Sequence, residues 1–422
     1  MILFKGTLLP DSELPTILDR LGSEIVATRA TQALDAGTVI DAIEALGQRL
    51  DAGELDEKIA QYAPPGSLQA LDEVRHLLRR ETLEHKLAVE LGADRLPQDR
   101  PFGASIPMPL GTLLHVAAGN VTGLPAFTVV EGLLTGNINL LKLPRDDKGL
   151  SLAILLELVG QEPMLADFIY AFDIPSSDTP SLQRLTGLAD GIVVWGGDEA
   201  VSAMRKLAPP GCKLMEWGHR LSFAYVSQYQ EHPEELDALA HHIIATGGLL
   251  CSSCQVIYLD SDRLEEAERF CRDFLPRLEG CVHSVHTTPG KAAEASLYAY
   301  ETVLEQIADR KGSGDQVFRG NGCSITLRTD RELELSHLHG NVLVKLLPRQ
   351  ELVATLHRQK GRLQTAGLIC PDDQRAELTR LLARSGVNRV TRAGSMSHTF
   401  PGEAHDGEYP LRRYQRMVDI QA

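Results

Sequence analysis

The stretch PLGTLLHVAAGNVTGLPAFTVVEGLLTGNINLLKLPRDD (109–147) decides the fold, because it alternates short apolar runs with a helical segment. The runs TLLHVAA and INLLKL are apolar almost throughout, as strands are when both faces of a sheet are covered. The segment GLPAFTVVEGLLTG between them has the length of a short helix. Strand, helix and strand in this order predict a parallel α/β sheet.

The same alternation continues along the rest of the chain. DFIYAF, GIVVWGG and the helical EAVSAMRKL extend the first series, and a second series begins at LSFAYVS (221–227). Before these series the chain is expected to be mainly helical, with an amphipathic helix over 67–91 that ends at Gly92 and Pro97. We predict four parts: a helical N-terminal part of the first α/β domain (1–100), the body of that domain (101–220), a second α/β domain (221–390), and a C-terminal arm (391–422) that packs on the fold or on another subunit.

Length, composition and charge exclude several classes of protein. The 422 residues fit two or three domains at roughly 150 residues each. Hydrophobic residues make up 43% and charged residues 23%, as in ordinary globular proteins. The net charge of −15 argues against binding to nucleic acid or to an anionic membrane surface. Because no long apolar run and no cationic leader occur, we expect a cytoplasmic protein without a transmembrane segment.

The seven cysteines are an odd number in a chain with no leader, so we expect reduced thiols. Cys251 and Cys254 form a CxxC motif with three interpretations. A zinc site would need two further ligands, and the nearby His241 and His242 are expected on a helix surface. A redox pair would begin a helix, whereas this pair runs into the apolar QVIYLD. Two buried structural thiols are the third interpretation, and we predict no metal.

Several common catalytic signatures do not occur in the sequence. GxxxxGK[ST], GxGxxG, GxSxG and HExxH are all missing. The usual phosphate loop, the common dinucleotide fingerprint, the hydrolase elbow and the zinc-protease helix are therefore not predicted.

A longer-range arrangement resembles the aldehyde dehydrogenase superfamily. Its cofactor domain has a Pro-x-Gly, a strand, an Asn-bearing loop, a helix ending in Gly-Asn, a second strand and a lysine. These recur here as Pro109, Gly111, Asn120, Gly136, Asn137 and Lys142. Glu216 precedes Cys251 by 35 residues (251 − 216), close to the superfamily spacing. The resemblance implies two Rossmann-like parallel-sheet domains, one for the cofactor and one for catalysis.

Within that superfamily the sequence is most similar to the LuxC-type acyl reductases, which convert fatty acyl thioesters to aldehydes. The resemblance covers roughly residues 100–415. It rests on AGN (118–120), WGG (195–197), GHRLS (218–222), CSS (251–253) before Gln255, LQTAGL (363–368) and HDGEYPL (405–411). One departure is Cys254, where proline is expected.

The resemblance assigns the chemistry to a small set of side chains. Cys251 is the nucleophile, because a thiolate attacks a thioester well and also leaves well. Asn120 donates its amide N–H to the oxyanion, together with the backbone N–H of Cys251. Three roles stay open for Glu216: deprotonating Cys251, protonating the alkoxide, or capping a strand. His219 either raises the thiolate fraction of Cys251, binds a carrier phosphate with Arg220, or closes a turn.

Five residues are assigned to the nicotinamide cofactor. The resemblance places Lys142, at the end of a strand, on the adenosine ribose. Arg145 is suited to a 2′-phosphate, so we favour NADPH over NADH, although Asp146 and Asp147 beside it temper that choice. Gly196 and Gly197 precede a helix whose N-terminus suits a pyrophosphate, with Asp198 as its N-cap. Gly218 completes the set.

The leading hypothesis is an NADPH-dependent reductase of fatty acyl-CoA or acyl-carrier protein. One alternative is an NAD(P)-dependent aldehyde dehydrogenase that forms acid, and another is a catalytically silent scaffold. An acidic carrier protein would need a basic patch, for which Arg412, Arg413 and Arg416 are the candidates. A homo-oligomer is expected from the resemblance.

Overall fold

The computed structural model describes residues 1–62, 78–92, 98–100, 103–118, 123–145, 147, 149–282, 289–308, 314–400 and 402–421. The chain forms two compact units. The first consists of Met1–Gly218 together with Phe400–Ala422, and the second of His219–Thr399.

The first unit is built on a seven-stranded sheet with the order β2-β1-β7-β6-β5-β8-β9. Strands β5 to β9 are parallel and follow the order of a doubly wound sheet. From β5 the strand order runs to β6 and β7 on one side and to β8 and β9 on the other. The topological switch point therefore lies between β5 and β8. The seven strands of this sheet are β1 (Ile2–Phe4), β2 (Thr7–Leu9), β5 (Thr112–Val116), β6 (Ile138–Lys142), β7 (Ile169–Phe172), β8 (Gly191–Trp195) and β9 (Lys213–Trp217). Two further strands, β3 (Gln98–Arg100) and β4 (Gly103–Pro109), lie outside it.

Helices cover the first sheet, and the helix after β5 is buried along nearly its whole length. Such a helix carries apolar side chains on all faces, which explains why GLPAFTVVEGLLTG lacks a polar face. The helices of this unit are Leu14–Thr31, Ala36–Asp51, Asp56–Tyr62, Arg80–Leu91, Leu124–Leu134, Leu150–Gln161, Thr179–Leu188, Asp198–Leu207 and Pro410–Arg413.

The N-terminus departs from the expected helical segment. Strands β1 and β2 form a hairpin through Lys5 and Gly6, both with positive φ, as a two-residue turn requires. β1 also pairs antiparallel with β7, so the hairpin extends the sheet. Of the helix expected over 67–91, residues 63–77 lie outside the described residues, and Arg80–Leu91 is helical and ends at Gly92. The expected stop at Pro97 also lies outside them.

The second unit is built on another seven-stranded sheet, with the order β12-β13-β14-β11-β10-β15-β16 and only β12 antiparallel. Its strands are β10 (Leu221–Val226), β11 (Cys254–Leu259), β12 (Gln316–Arg319), β13 (Ser324–Arg328), β14 (Asn341–Leu346), β15 (Leu363–Ile369) and β16 (Arg389–Arg392). Its helices are Pro233–Thr246, Leu264–Val282, Pro289–Ala308, Arg349–Leu356 and Asp372–Arg384.

The C-terminal arm differs from its expected form and boundary. We expected it to begin at 391, but β16 crosses that point and pairs with β15, so residues up to Thr399 belong to the second unit. From Phe400 the chain belongs to the first unit and ends in β17 (Gln415–Ile420). β17 pairs antiparallel with β4 and, with β3, forms a third sheet. No helix within the described ranges is long and apolar enough to cross a bilayer.

Candidate active site

Cys251 lies in a tight turn between the helix Pro233–Thr246 and the amino end of β11. Gly247 and Gly248 turn the chain with φ values of 58° and 81°, a region that disfavours other residues. Within the turn, Ser253 N donates to Leu250 O and Leu250 N donates to Ser253 Oγ, both at 3.0 Å. The thiol-bearing residue is therefore exposed on a short, internally bonded loop.

A serine ties this loop to the second sheet. Ser222 Oγ donates to Cys251 O at 2.6 Å and accepts from Thr365 N at 3.0 Å. Ser222 belongs to β10 and Thr365 to β15, so the backbone of Cys251 is fixed to two adjacent strands. Both serine bonds are directional, and together they restrict the position of the Cys251 backbone.

Gln255 braces the other side of the loop. Its side chain is buried, and Nε2 donates to Gly248 O at 2.9 Å. Oε1 accepts from both Ser336 N and Ser336 Oγ at 3.0 Å. A buried amide with its donor and acceptor both engaged rigidifies its surroundings, so Gln255 connects the turn at Gly248 to the segment before β14.

Cys251 differs from the other six cysteines, all of which lie in described parts of the chain and form no disulfide. It is the one that is exposed, and burial raises the pKa of each of the others. Burial raises the pKa of Cys254 to about 12, and its Sγ donates to Val256 O at 3.5 Å. Cys254 is therefore a buried neutral thiol, as the third interpretation of the CxxC predicts.

His242 corrects the expectation that it lies on a helix surface. It was expected on a helix surface, but it is 5% exposed and accepts from Cys254 N at 3.3 Å. Burial lowers its pKa to about 4, so the ring is neutral at pH 7. No group of three or more potential metal-ligating side chains occurs in the part of the chain that the structure describes.

His219 and Arg220 lead into β10, directly before the serine that holds Cys251. His219 is exposed, three residues before Ser222. The Arg220 guanidinium donates through Nη1 to Gly361 O, which anchors this segment to the turn before β15. His219 therefore lies on the segment that leads into β10, the strand whose Ser222 holds the backbone of Cys251.

In the first unit the expected cofactor residues gather at the carboxyl ends of the parallel strands. Gly196 and Gly197 follow β8 at the switch point, and Gly197, not Asp198 as expected, occupies the N-cap of Asp198–Leu207. A Cβ added to Gly197 would meet no atom within 4 Å, so the space beside this helix N-terminus is open. Gly218 follows β9, the next strand of the sheet.

Lys142 ends β6 and is 6% exposed, with Nζ donating to Ser176 Oγ at 3.1 Å. Burial lowers its pKa. Arg145 is exposed three residues further on. Asp147 is engaged elsewhere, because its carboxylate accepts from Ser151 N, in the first turn of the next helix, at 3.0 Å. Asp146, the other acidic neighbour, lies outside the described residues.

Of the two catalytic residues expected in this unit, Asn120 and Glu216, the structure describes only Glu216. Asn120 lies outside the described residues, in the segment between β5 and the helix Leu124–Leu134. Glu216 lies in β9 and forms a two-pronged ion pair with Arg205 through Nε and Nη2. Both oxygens of the Glu216 carboxylate are therefore engaged by the Arg205 guanidinium, which speaks against a role as a general base.

A sequence model of the acyl-CoA reductase (LuxC) family matches residues 31–417 of this chain. The chain belongs to the LuxC family. The long-chain acyl-protein thioester reductase of Photorhabdus luminescens is 24% identical over 327 residues, 75% of this chain and 65% of that protein. The enzyme of the same description from Vibrio harveyi is 22% identical over 404 residues, which cover 91% and 82% of the two chains.

The fold of this LuxC-family chain is that of the aldehyde dehydrogenases, as predicted. Aldehyde dehydrogenase 21 from Physcomitrella patens aligns with a TM-score of 0.71 at 15% identity, covering 98% of this chain and 91% of the other. Lactaldehyde dehydrogenase from Escherichia coli aligns with a TM-score of 0.67 at 15% identity, covering 98% and 92%. At such identities the likeness establishes the fold alone.

The sequence reasoning missed an aromatic cluster in the first unit of this LuxC-family chain. The rings of Trp195, at the end of β8, and Trp217, at the end of β9, lie 5.5 Å apart. His405 contacts both, with ring centroids at 5.0 and 4.9 Å. Trp217 Nε1 is buried and makes no hydrogen bond within the described residues. The signal was present, because these are the chain's only tryptophans and each precedes an assigned glycine.

Two of the arginines expected to dock a carrier protein hold the C-terminal segment instead. The guanidinium of Arg412 donates to Glu90 O, and that of Arg413 contacts Glu408 at 2.6 Å and donates to Leu214 O at 2.9 Å. Arg416 is exposed on β17. A basic docking patch made of all three is therefore not supported.

Proposed function

We propose that this chain is a nicotinamide-dependent reductase that converts a fatty acyl thioester to the aldehyde through an acyl-enzyme at Cys251. The single observation that carries the proposal is the exposed Cys251 on a doubly anchored loop, in a chain of the LuxC family. The relatives' description as acyl-protein thioester reductases supports the same substrate class.

The proposed acylation step uses residues of the second unit. The Cys251 thiolate attacks the carbonyl carbon of the thioester and forms a new C–S bond. The bond to the carrier sulfur breaks, and the carrier leaves as a thiolate that takes a proton from solvent. The braced loop holds the backbone N–H of Cys251 in place, and Asn120 is proposed to donate to the same oxyanion.

The first unit has features that fit a nicotinamide dinucleotide. The open space beside Gly197 at a helix N-terminus suits a pyrophosphate, and the Lys142 ammonium at the end of β6 suits a ribose. Reduced nicotinamide, when bound, supplies the hydride that reduces the acyl carbon. Cys251 then leaves as a thiolate, its C–S bond breaks, and the aldehyde is released.

We propose NADPH as the preferred cofactor. Arg145 is exposed near the Lys142 end of β6, where a guanidinium can pair with a 2′-phosphate in bidentate fashion. The Asp147 carboxylate accepts from Ser151 N and Ser151 Oγ, so the described acidic neighbour is not poised to bind a ribose 2′-hydroxyl. Whether the acyl group arrives on coenzyme A or on a carrier protein is decided by comparing the two thioesters as substrates.

The proposal is tested by NADPH oxidation with acyl-CoA and acyl-carrier protein, with aldehyde quantified as the product. Wild type is expected to form aldehyde with one or both carriers. Cys251→Ala is expected to lose at least about a thousandfold of this activity because no other group replaces the nucleophile. Cys281→Ala, at a half-buried cysteine, is the matched control and is expected to retain it. Full activity of Cys251→Ala would overturn the proposal.

The competing function, oxidation of aldehyde to acid, needs a hydrolytic base at Glu216. The ion pair of Glu216 with Arg205 speaks against that role. Supplying aldehyde and oxidised cofactor with or without coenzyme A decides between the two, since only the reductase running in reverse requires a thiol acceptor.

The scaffold alternative is tested through the tryptophan pair. Trp195 and Trp217 lie at the strand ends next to the proposed cofactor glycines, so bound NADPH is expected to quench their emission by energy transfer. The single variants Trp195→Phe and Trp217→Phe assign the signal to one ring. An emission unchanged by either nicotinamide cofactor would favour a catalytically silent protein.

A further inference from the structure

The first unit contains an apolar cavity between three of its helices, Ala36–Asp51, Leu124–Leu134 and Leu150–Gln161. Its empty volume is about 460 Å³, a figure that includes open solvent at its mouth. The floor is formed by the buried side chains of Ile43, Leu46, Ala126, Val130, Leu155 and Leu158.

The cavity wall has the chemistry of a hydrocarbon site. Among the residues that the structure describes, every lining residue is aliphatic, aromatic or glycine, and none offers a charged or hydrogen-bonding side chain. Such a wall cannot compensate a phosphate, a ribose or an amide for its lost water. Apolar cavities in proteins stay dry and take apolar ligands.

The cavity has a mouth, and its position in the fold is informative. Leu78, Phe127 and Ile154 line it but are only half-buried, in contrast to the floor. Gly123 also lines it and is the N-cap of the helix Leu124–Leu134. The segment that carries Asn120 begins at the carboxyl end of β5, at the switch point, and Gly123 directly follows that segment.

We propose that this cavity receives the hydrocarbon chain of the fatty acyl substrate, an inference that rests on the proposed function. The wall excludes the polar parts of the thioester and of the cofactor, which leaves the alkyl chain as the occupant. Ala126 sets the depth, because its small side chain on the buried floor leaves the space that a larger residue would fill.

The size of the expected effect follows from burial of methylenes. Each methylene removed from water favours binding by a factor of about four. Leucine at position 126 adds three carbon atoms to the floor and displaces a similar number of substrate methylenes. Relative to octanoyl-CoA, kcat/KM for hexadecanoyl-CoA is then expected to fall on the order of 50-fold.

The experiment measures kcat/KM for octanoyl-, dodecanoyl- and hexadecanoyl-CoA in wild type, Ala126→Leu, Ile154→Ala and Ala153→Leu. Ala126→Leu is expected to shift the preference to shorter chains, and Ile154→Ala, which widens the mouth, to longer ones. Ala153 lies beside Ile154 on the same helix and outside the cavity lining, so Ala153→Leu is the matched control and is expected to leave the preference unchanged.

An unchanged chain-length profile in a folded Ala126→Leu would overturn the proposal. If that variant fails to fold, an unchanged profile in Ile154→Ala does the same. A change of oligomeric state in Ala126→Leu without a change in profile would mark the cavity as a contact between copies and also overturn it. Failure of the proposed function looks different: wild type forms no aldehyde from any thioester. Binding of fluorescent parinaric acid to wild type, and its loss in Ala126→Leu, then tests the cavity by itself.

Discussion

The two units use sheets of the same size and similar parallel character, yet they place their functional residues at opposite ends of the strands. In the first unit Lys142, Gly196 and Gly218 all follow strands, at the carboxyl edge where open α/β sheets bind ligands. In the second unit Cys251 precedes β11, at the amino edge. The rule for open α/β sheets therefore locates the proposed cofactor residues. The proposed nucleophile lies on a loop at the other end of the strands, which that rule does not cover.

The difference extends to how each site is held. The first-unit residues sit directly on strand ends and need little support beyond the sheet. Cys251 sits on a turn, and its position depends on side-chain bonds from Ser222 and Gln255.

Removing the Gln255 brace is expected to have the largest effect. Gln255→Leu removes the partner of the half-buried Gly248 O and Ser336 N, which costs about 0.5–1.5 kcal/mol of unfolding free energy for each lost bond. The loosened loop is expected to lower kcat about 100-fold, while the KM for NADPH, set in the other unit, stays unchanged.

Ser336→Ala is the graded control for that variant. It removes the bond from Ser336 Oγ to Gln255 and the 3.4 Å bond that Leu338 N donates to the same oxygen. The backbone bond to Gln255 remains, so the loss of kcat is expected to be much smaller. A parallel rise in the KM for NADPH in Gln255→Leu would show that the variant disturbs both units, and it would contradict a local bracing role.

Acid is expected to destabilise each unit through one buried histidine. Burial lowers the pKa of His115, in the first unit, and of His242, in the second, to about 4. The unfolded chain takes up these protons near pH 6.5, so the stability is complete above that pH and is lost as the pH falls towards 4. At pH 5 each histidine is expected to cost about 2 kcal/mol of unfolding free energy.

Urea denaturation of wild type, His115→Gln and His242→Gln at pH 7 and pH 5 measures these shares. Each variant is expected to lose less stability between the two pH values than wild type does. Identical losses in all three proteins would show that neither histidine titrates in this window.

Arg145→Ala tests cofactor choice in the first unit. Loss of one charge-assisted pair with a 2′-phosphate is expected to lower kcat/KM with NADPH about tenfold, with no change for NADH. The kcat/KM of Arg145→Lys with NADPH is expected to lie between those of wild type and Arg145→Ala, because an ammonium lacks the bidentate geometry. Equal effects on both cofactors would remove the proposed preference for NADPH.

Arg205→Ala is expected to have the smallest effect. The Arg205 side chain is 64% exposed, so its ion pair with Glu216 contributes little to stability. If Glu216 has no hydrolytic role, the ratio of aldehyde to acid changes less than about twofold. Acid as the main product in Arg205→Ala, reversed in Arg205→Ala/Glu216→Gln, would revive the dehydrogenase hypothesis.

The sequence predicted the features of the fold that depend on local patterns. The apolar runs in 109–147 correspond to β5, Leu124–Leu134 and β6, because their alternation is complete within forty residues. The β1–β2 hairpin was missed, since three-residue strands carry no periodicity and β1 is buried by pairing with the distant β7. β17 was missed for the same reason: its partner β4 is about 300 residues away in the sequence.

In the candidate site, too, features with a local sequence pattern were predicted and contacts between distant residues were not. Cys251 and the proposed cofactor residues were found through motif order, which a sequence preserves. The Gln255–Ser336 bond joins residues 81 positions apart, and the ring contacts of His405 require the C-terminal segment to return to the first unit. Neither contact has a local signature. The same holds for the burial of His242, which depends on what packs against its helix.

The central claim, that Cys251 carries the acyl group, is tested most directly by mass spectrometry of the protein after incubation with hexadecanoyl-CoA in the absence of nicotinamide cofactor. We predict one added hexadecanoyl group on the peptide that contains Cys251, its loss on addition of NADPH, and no adduct in Cys251→Ala. An acyl group on a different cysteine, or aldehyde formation by Cys251→Ala, would contradict the account.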